Sequence, residues 1–140
     1  LAAAGLKRLE LGHRITALIE PELSLPAVGQ GALGIECREG RDDLVQLLAP
    51  LHHAVSAACV ASERAMSRAL QGSCQVPLGG FAQIENGELR LRGFVASIDG
   101  QRMIRDEVRG KPEDAEQLGI QMGQRLIALG ADKILAELAI

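Results

Sequence analysis

The sequence has almost no aromatic residues: Phe81 and Phe94 stand alone among 140 residues, with no tryptophan and no tyrosine. Leucine, isoleucine, valine, alanine and methionine must therefore build any core, and the aromatic platforms on which unpaired bases stack are excluded. Positive charge is not in excess either. The formal net charge of −3 argues against bulk electrostatic binding of nucleic acid or an anionic membrane, and leaves a pocket-sized anion as the class of charged ligand. No apolar run reaches the roughly 18 residues of a membrane span, and the first residues lack the basic, apolar and cleavage regions of a secretory signal, so the cytoplasm is the expected compartment. Cysteine is scarce. Cys37, Cys59 and Cys74 are odd in number, widely spaced and free of any C-x-x-C pair, which disfavours a disulfide framework or a zinc ribbon and predicts reduced thiols.

What is present is a globular composition, 47% hydrophobic and 24% charged, enough for one sizeable core or two small ones. The chain opens on Leu1, not methionine, and its first element starts with no cap before it, which predicts a piece of a longer protein. Residues 1–10 favour a short helix, with Leu1, Leu6 and Leu9 able to share a face and Gly5 as its weak point. Lys7 and Arg8, late in that helix, would either complement its C-terminal dipole or bind an anion. Gly12-His13 marks a turn and Ile15 to Glu20 a candidate strand. Pro21, Pro26, Gly29, Gly31 and Gly34 crowd a segment too apolar for a free linker, so it reads as a crossing whose backbone lies close to something else. Residues 32–38 read as a strand covered on both faces, with Cys37 as a buried small hydrophobe.

A helix opening near Asp42 and ending before Pro50 is followed by a boundary. A long helix from residue 51 or 52 to Leu70 places Val55, Ala58, Cys59, Ser62, Ala65, Met66 and Ala69 on its apolar side. His53, Ser56, Glu63, Arg64, Ser67 and Arg68 take much of the other. The period then changes to two. Strands at 78–84 and 88–97 flank Asn86-Gly87, a type I′ turn signal, and a third strand at 101–109, with Met103 and Ile104 as core candidates, follows Asp99-Gly100. Pro112, Glu113 and Asp114 start a helix to Leu129, Gly130 stops it, and 132–140 form a last helix. The fold class expected is α+β, a three-stranded antiparallel sheet covered by helices.

The stretch with chemical character is Gly72-Ser73-Cys74-Gln75-Val76-Pro77-Leu78-Gly79, a constrained loop carrying one thiol. Cys74 follows a helix C-terminus, whose partial negative charge raises a thiol pKa, so an activated nucleophile is disfavoured. A covalent attachment made once per molecule needs no such activation; a structural cysteine in a tight turn is the other reading. Zinc held by His52, His53 and Cys74 lacks a recognisable fourth ligand, and adjacent histidines point apart on a helix. A thiol hydrolase needs a histidine near Cys74, yet these lie about 25 Å away along the helix.

GSCQVPLG at 72–79, preceded by ASERAMSRALQ, resembles the cofactor-attachment loop of the porphobilinogen deaminase (hydroxymethylbilane synthase) family. LAAAGLKRL at 1–9 and SLPAVGQGALGIECR at 24–38 resemble further stretches of that family. The resemblance implies a monomeric transferase of tetrapyrrole (haem) biosynthesis with two α/β domains and a third α+β domain. Residues 1–25 would end the second domain, 26–51 would return to the first, and 52–140 would form the third. Cys74 would hold a dipyrromethane cofactor through a thioether, on which four porphobilinogen units are joined into a growing oligopyrrole and released as hydroxymethylbilane. Arg8 matches a family arginine that pairs with substrate carboxylates. Gln30, with Gly29 and Gly31, matches the segment passing near the cofactor. The family's catalytic aspartate has no counterpart here, so no catalytic residue and no metal is expected in this chain and the chain alone should be inactive. The rival class is a non-catalytic α+β module that binds a ligand or partner, with Cys74 structural.

Overall fold

Asn86 and Gly87 both take positive φ, 52° and 80°, which makes the tight turn between β1 (Leu78–Glu85) and β2 (Glu88–Ala96) the type I′ turn expected of that dipeptide. The computed structural model describes residues 1–71 and 76–138. A looser turn through Gly100, also at positive φ, leads into β3 (Met103–Gly110). The three strands form an antiparallel meander in the order β1-β2-β3. Register sets the faces: Ala82 lies opposite Leu91 and Leu91 opposite Val108, and all three point to the core.

Two helices cover that face. α3 (Ala54–Ala69) starts at His53, whose ring nitrogen accepts the Ser56 N–H at 3.3 Å, so the helix begins two residues later than its pattern suggests because a histidine serves as the cap. α4 (Ala115–Ala128) is entered through a 3-10 turn at Pro112–Asp114 and stopped by Gly130 at φ 104°, as the proline, acids and glycine predict. Met66, Leu70, Leu89, Leu91, Val95, Met122 and Leu126 are the centre of the core. α5 (Ala131–Leu138) closes one end with Ala131 and Ile134. Arg125 of α4 grips Asp106 of β3 at 2.6 Å, and that guanidinium holds the Asp106 carboxyl below the usual carboxylate range. The architecture is α+β, as expected.

Residues 1–51 contain no buried residue. α1 (Ala3–Arg8) packs against the 3-10 turn Gly12–Arg14, and α2 (Asp42–Leu48), opened by Asp42 and Asp43, runs into a 3-10 turn at Ala49–Leu51. Neither 15–20 nor 32–38 forms a strand. The apolar composition at 32–38 is compatible with a doubly covered strand, but no neighbouring strand is hydrogen-bonded to it among the described residues, and Leu33 and Ile35 stand 94% and 58% exposed. A strand without a ladder has nothing to stabilise it. Cys37 is accordingly exposed and not buried. Met103, expected in the core, is 47% exposed; the register puts Ile104, opposite Val95, on the helix side instead. Among the described residues no single helix is long and apolar enough to cross a membrane.

Candidate functional site

The crossing segment is where the first half of the chain meets the second. Pro26 O accepts the Gly80 N–H at 3.1 Å, so the segment lies along the outer edge of β1. It then turns at Gly29-Gln30-Gly31, where Gly29 and Gly31 have φ of 70° and 82° that only glycine adopts without strain. Ala27 O accepts the Gln30 N–H at 3.0 Å and Gly29 O the Ala32 N–H at 3.1 Å. Upstream, Glu22 pairs with Arg92 at 2.9 Å on the far face of the sheet, where Arg92 also lies over the Phe81 ring at 5.6 Å. That guanidinium holds the exposed Glu22 carboxyl below its usual range.

Between this turn and α3 is a cleft of about 1320 Å³, walled by Gly29, Gly31 and Cys37 on one side and by Ser56, Arg64 and Arg68 on the other, with Val76 and Leu78 at its end. Arg64 and Arg68 are one helical turn apart and exposed; Arg68 is paired with Glu116 at 2.8 Å. Two guanidinium groups on one wall suit a ligand carrying carboxylates. The volume exceeds that of an ordinary small-molecule pocket.

The expected site residues fare unequally. Gly29 and Gly31 line the cleft; Gln30, between them, is exposed and not among its lining residues. Arg8 ends α1 as an exposed side chain, also not among the lining residues. Cys74 lies outside the described residues, as do Gly72, Ser73 and Gln75, although Val76, two positions after Cys74, lines the cleft. α3 releases the chain toward that loop through Gln71, in the left-handed region at φ 52°. His52 and His53 sit at the opposite end of α3, and no group of metal-binding side chains occurs among the described residues.

Two residues of the long helix depart from the faces expected of them: Val55, placed on its apolar side, is 48% exposed, and Glu63 is buried. Glu63, placed by its charge on the polar side of the long helix, is 5% exposed and accepts the N–H of Gly29 at 2.7 Å and of Ala82 at 2.8 Å. Its spacing carries the signal: Glu63 is four residues after Cys59 and three before Met66, both on the inward stripe. Burial pushes its carboxyl above the ordinary value, and the two N–H donors oppose that only in part. Half-buried Cys59 beside it has its thiol pushed up by burial and then by the Glu63 charge, which keeps it a protonated, inert filler.

Comparison with known families matches residues 57–128 to "Porphobilinogen deaminase, C-terminal domain" and residues 1–46 to "Porphobilinogen deaminase, dipyromethane cofactor binding domain". The chain is 67% identical over 139 residues to a porphobilinogen deaminase of Nitrosomonas europaea, covering 99% of the chain and 45% of the relative. It is 59% identical over 138 residues to that of Methylobacillus flagellatus, covering 99% and 44%, and 56% identical over 138 residues to that of Bordetella parapertussis, again covering 99% and 44%. The chain thus spans a little under half the length of the curated relatives it matches.

Proposed function

Because this chain belongs to the porphobilinogen deaminase family, we propose that it supplies the cofactor-attachment domain and part of the adjoining cleft of an enzyme that joins four porphobilinogen units into hydroxymethylbilane in the cytoplasm. In this reading residues 52–140 are the attachment domain, 1–25 end the second domain and 26–51 return to the first. The observation that carries it is the cleft: it brings together the Gly29–Gly31 turn, the Arg64 and Arg68 guanidinium groups and Val76 at the edge of the Cys74 loop. Its size and its cations fit a dipyrromethane bearing acetate and propionate groups. When bound, that group supplies the pyrrole end to which each porphobilinogen is joined with loss of ammonia.

The chain's own residues bind and orient. Cys74 is the tether, joined once through a thioether, and the glycines of the crossing segment let backbone approach the ligand where a side chain would block it. Arg64 and Arg68 neutralise carboxylates, and Arg8 does the same toward the second domain. None of these residues is an acid or base for the coupling step, so the 140-residue chain by itself forms no hydroxymethylbilane.

The test is intact-protein mass spectrometry, with an acidic aldehyde colour reaction for pyrroles, on the longer enzyme carrying this chain. The unsubstituted protein shows the added mass of a dipyrromethane and Cys74→Ser does not. An identical mass and colour in both proteins refutes the tether; absence of the adduct in both leaves the domain as a module that binds its ligand without a covalent bond.

A further inference from the structure

β1 is an edge strand, so alternate N–H groups along it face away from β2 and need partners from elsewhere. Gly80 and Ala82 are two such positions. Gly80 donates to Pro26 O at 3.1 Å, and Ala82 donates to Glu63 Oε1 at 2.8 Å. The other oxygen of the same carboxylate, Oε2, accepts from Gly29 at 2.7 Å. One side chain of α3 thus bridges a strand edge 19 residues later and a turn 34 residues earlier. Glu63 makes no ion pair among the described residues, where its hydrogen-bond donors are these two backbone amides. A buried carboxylate with only backbone donors to satisfy it is costly to place, and here each of its oxygens has a donor aimed at it.

We propose that Glu63 is a positioning residue: its carboxylate staples the Gly29–Gly31 turn to the open edge of β1 and so fixes the wall of the cleft that faces Arg64 and Val76. The chemistry requires a carboxylate. An ionised carboxylate is an acceptor at both oxygens, whereas the isosteric amide of glutamine offers one acceptor and turns an NH₂ toward the second N–H. In the Glu63→Gln variant the single acceptor would keep the interior bond to the buried Ala82 amide, which has no water to fall back on, and release the half-buried Gly29. The consequence for the cofactor rests on the function proposed above; the staple itself does not.

The test is made on this chain, without cofactor. In the unsubstituted protein the amide proton resonances of Gly29 and Ala82 shift together with a single shared midpoint as pH falls and Glu63 takes up its proton; separate midpoints, or no movement, overturn the proposal. In Glu63→Gln the coupled shift disappears, and hydrogen exchange at Gly29 becomes about ten- to a hundredfold faster, the loss of one hydrogen bond to a charged group, while the β2 ladder amides keep their protection. Unchanged exchange at Gly29, or equal acceleration in β2, means that Glu63 does not hold the turn. Because the Cys74 adduct is read separately by mass, loss of the staple and loss of the functional reading are distinguishable.

Discussion

Glu63 carries a charge where the surrounding side chains are apolar, and its protonation is therefore linked to folding. Its carboxyl is raised above the ordinary value by burial, with the Ala82 and Gly29 amides opposing in part. A group raised in the folded state contributes stability that is fully present below its unfolded value and is lost as pH rises through the folded one. In Glu63→Gln that dependence is gone. The difference in urea midpoint between the natural chain and Glu63→Gln is therefore expected to move against the natural chain as pH rises through the raised value; a difference moving in its favour would mean that the two N–H donors outweigh desolvation. Glu63 is misread from the sequence because charge outweighs position: residue type says solvent, while its place between Cys59 and Met66 says interior. Cys59, judged by the same stripe, is legible as core, since for a thiol type and position agree.

At the level of elements, what is legible is local. The Asn86-Gly87 turn, the alternation in β2 and the proline-to-glycine bounds of α4 each act over a few residues, and each takes the form expected. The face of β3 is not, because Met103 and Ile104 are adjacent and apolar, and only pairing with Val95 decides which enters the core. The closeness of α3 to α4 is likewise hidden. A Cβ placed on Gly119 would collide with Ser62 O, a backbone atom, and lie 2.6 Å from Ala65 Cβ and 3.0 Å from Met66 N. On an isolated helix, glycine to alanine gains about 1 kcal/mol. Here the added methyl must push two helices apart, an overpacking cost of about 1–3 kcal/mol, because the clashing atoms are backbone and a neighbouring Cβ that cannot rotate away. Gly119→Ala is thus expected to lower the urea midpoint despite its better propensity; a raised midpoint would show that α3 and α4 separate at little cost.

Across the whole molecule the two halves differ in what holds them. Among the described residues every buried side chain lies beyond residue 51, whereas Leu18, Ile19, Leu23, Leu33, Ile35 and Leu47 are exposed before it. Their apolar character suggests covered strands, but coverage is a property of neighbours, and a strand's ladder depends on chain far away in sequence. What joins the first half to the second is Val28, packed against the core, and a short set of polar contacts: Glu22 to Arg92, Pro26 O to Gly80 and Gly29 to Glu63. Few buried contacts mean a small free energy of local opening. Trypsin finds no lysine or arginine between Arg14 and Arg38, so the two exposed sites flanking the crossing segment report on either side of those contacts. Limited digestion of this chain is expected to cut at Arg14, Arg38 and Arg41 well before Arg64 or any site in the strands, although Arg64 and Arg68 are themselves exposed, because a helix must unfold to enter a protease and α3 is packed on both α4 and the sheet. The first stable product begins just after Arg41 and retains the sheet and its helices. Early cutting at Arg64 together with Arg38 would mean that the two halves open as one unit, and that the core beyond residue 51 is not the more stable part.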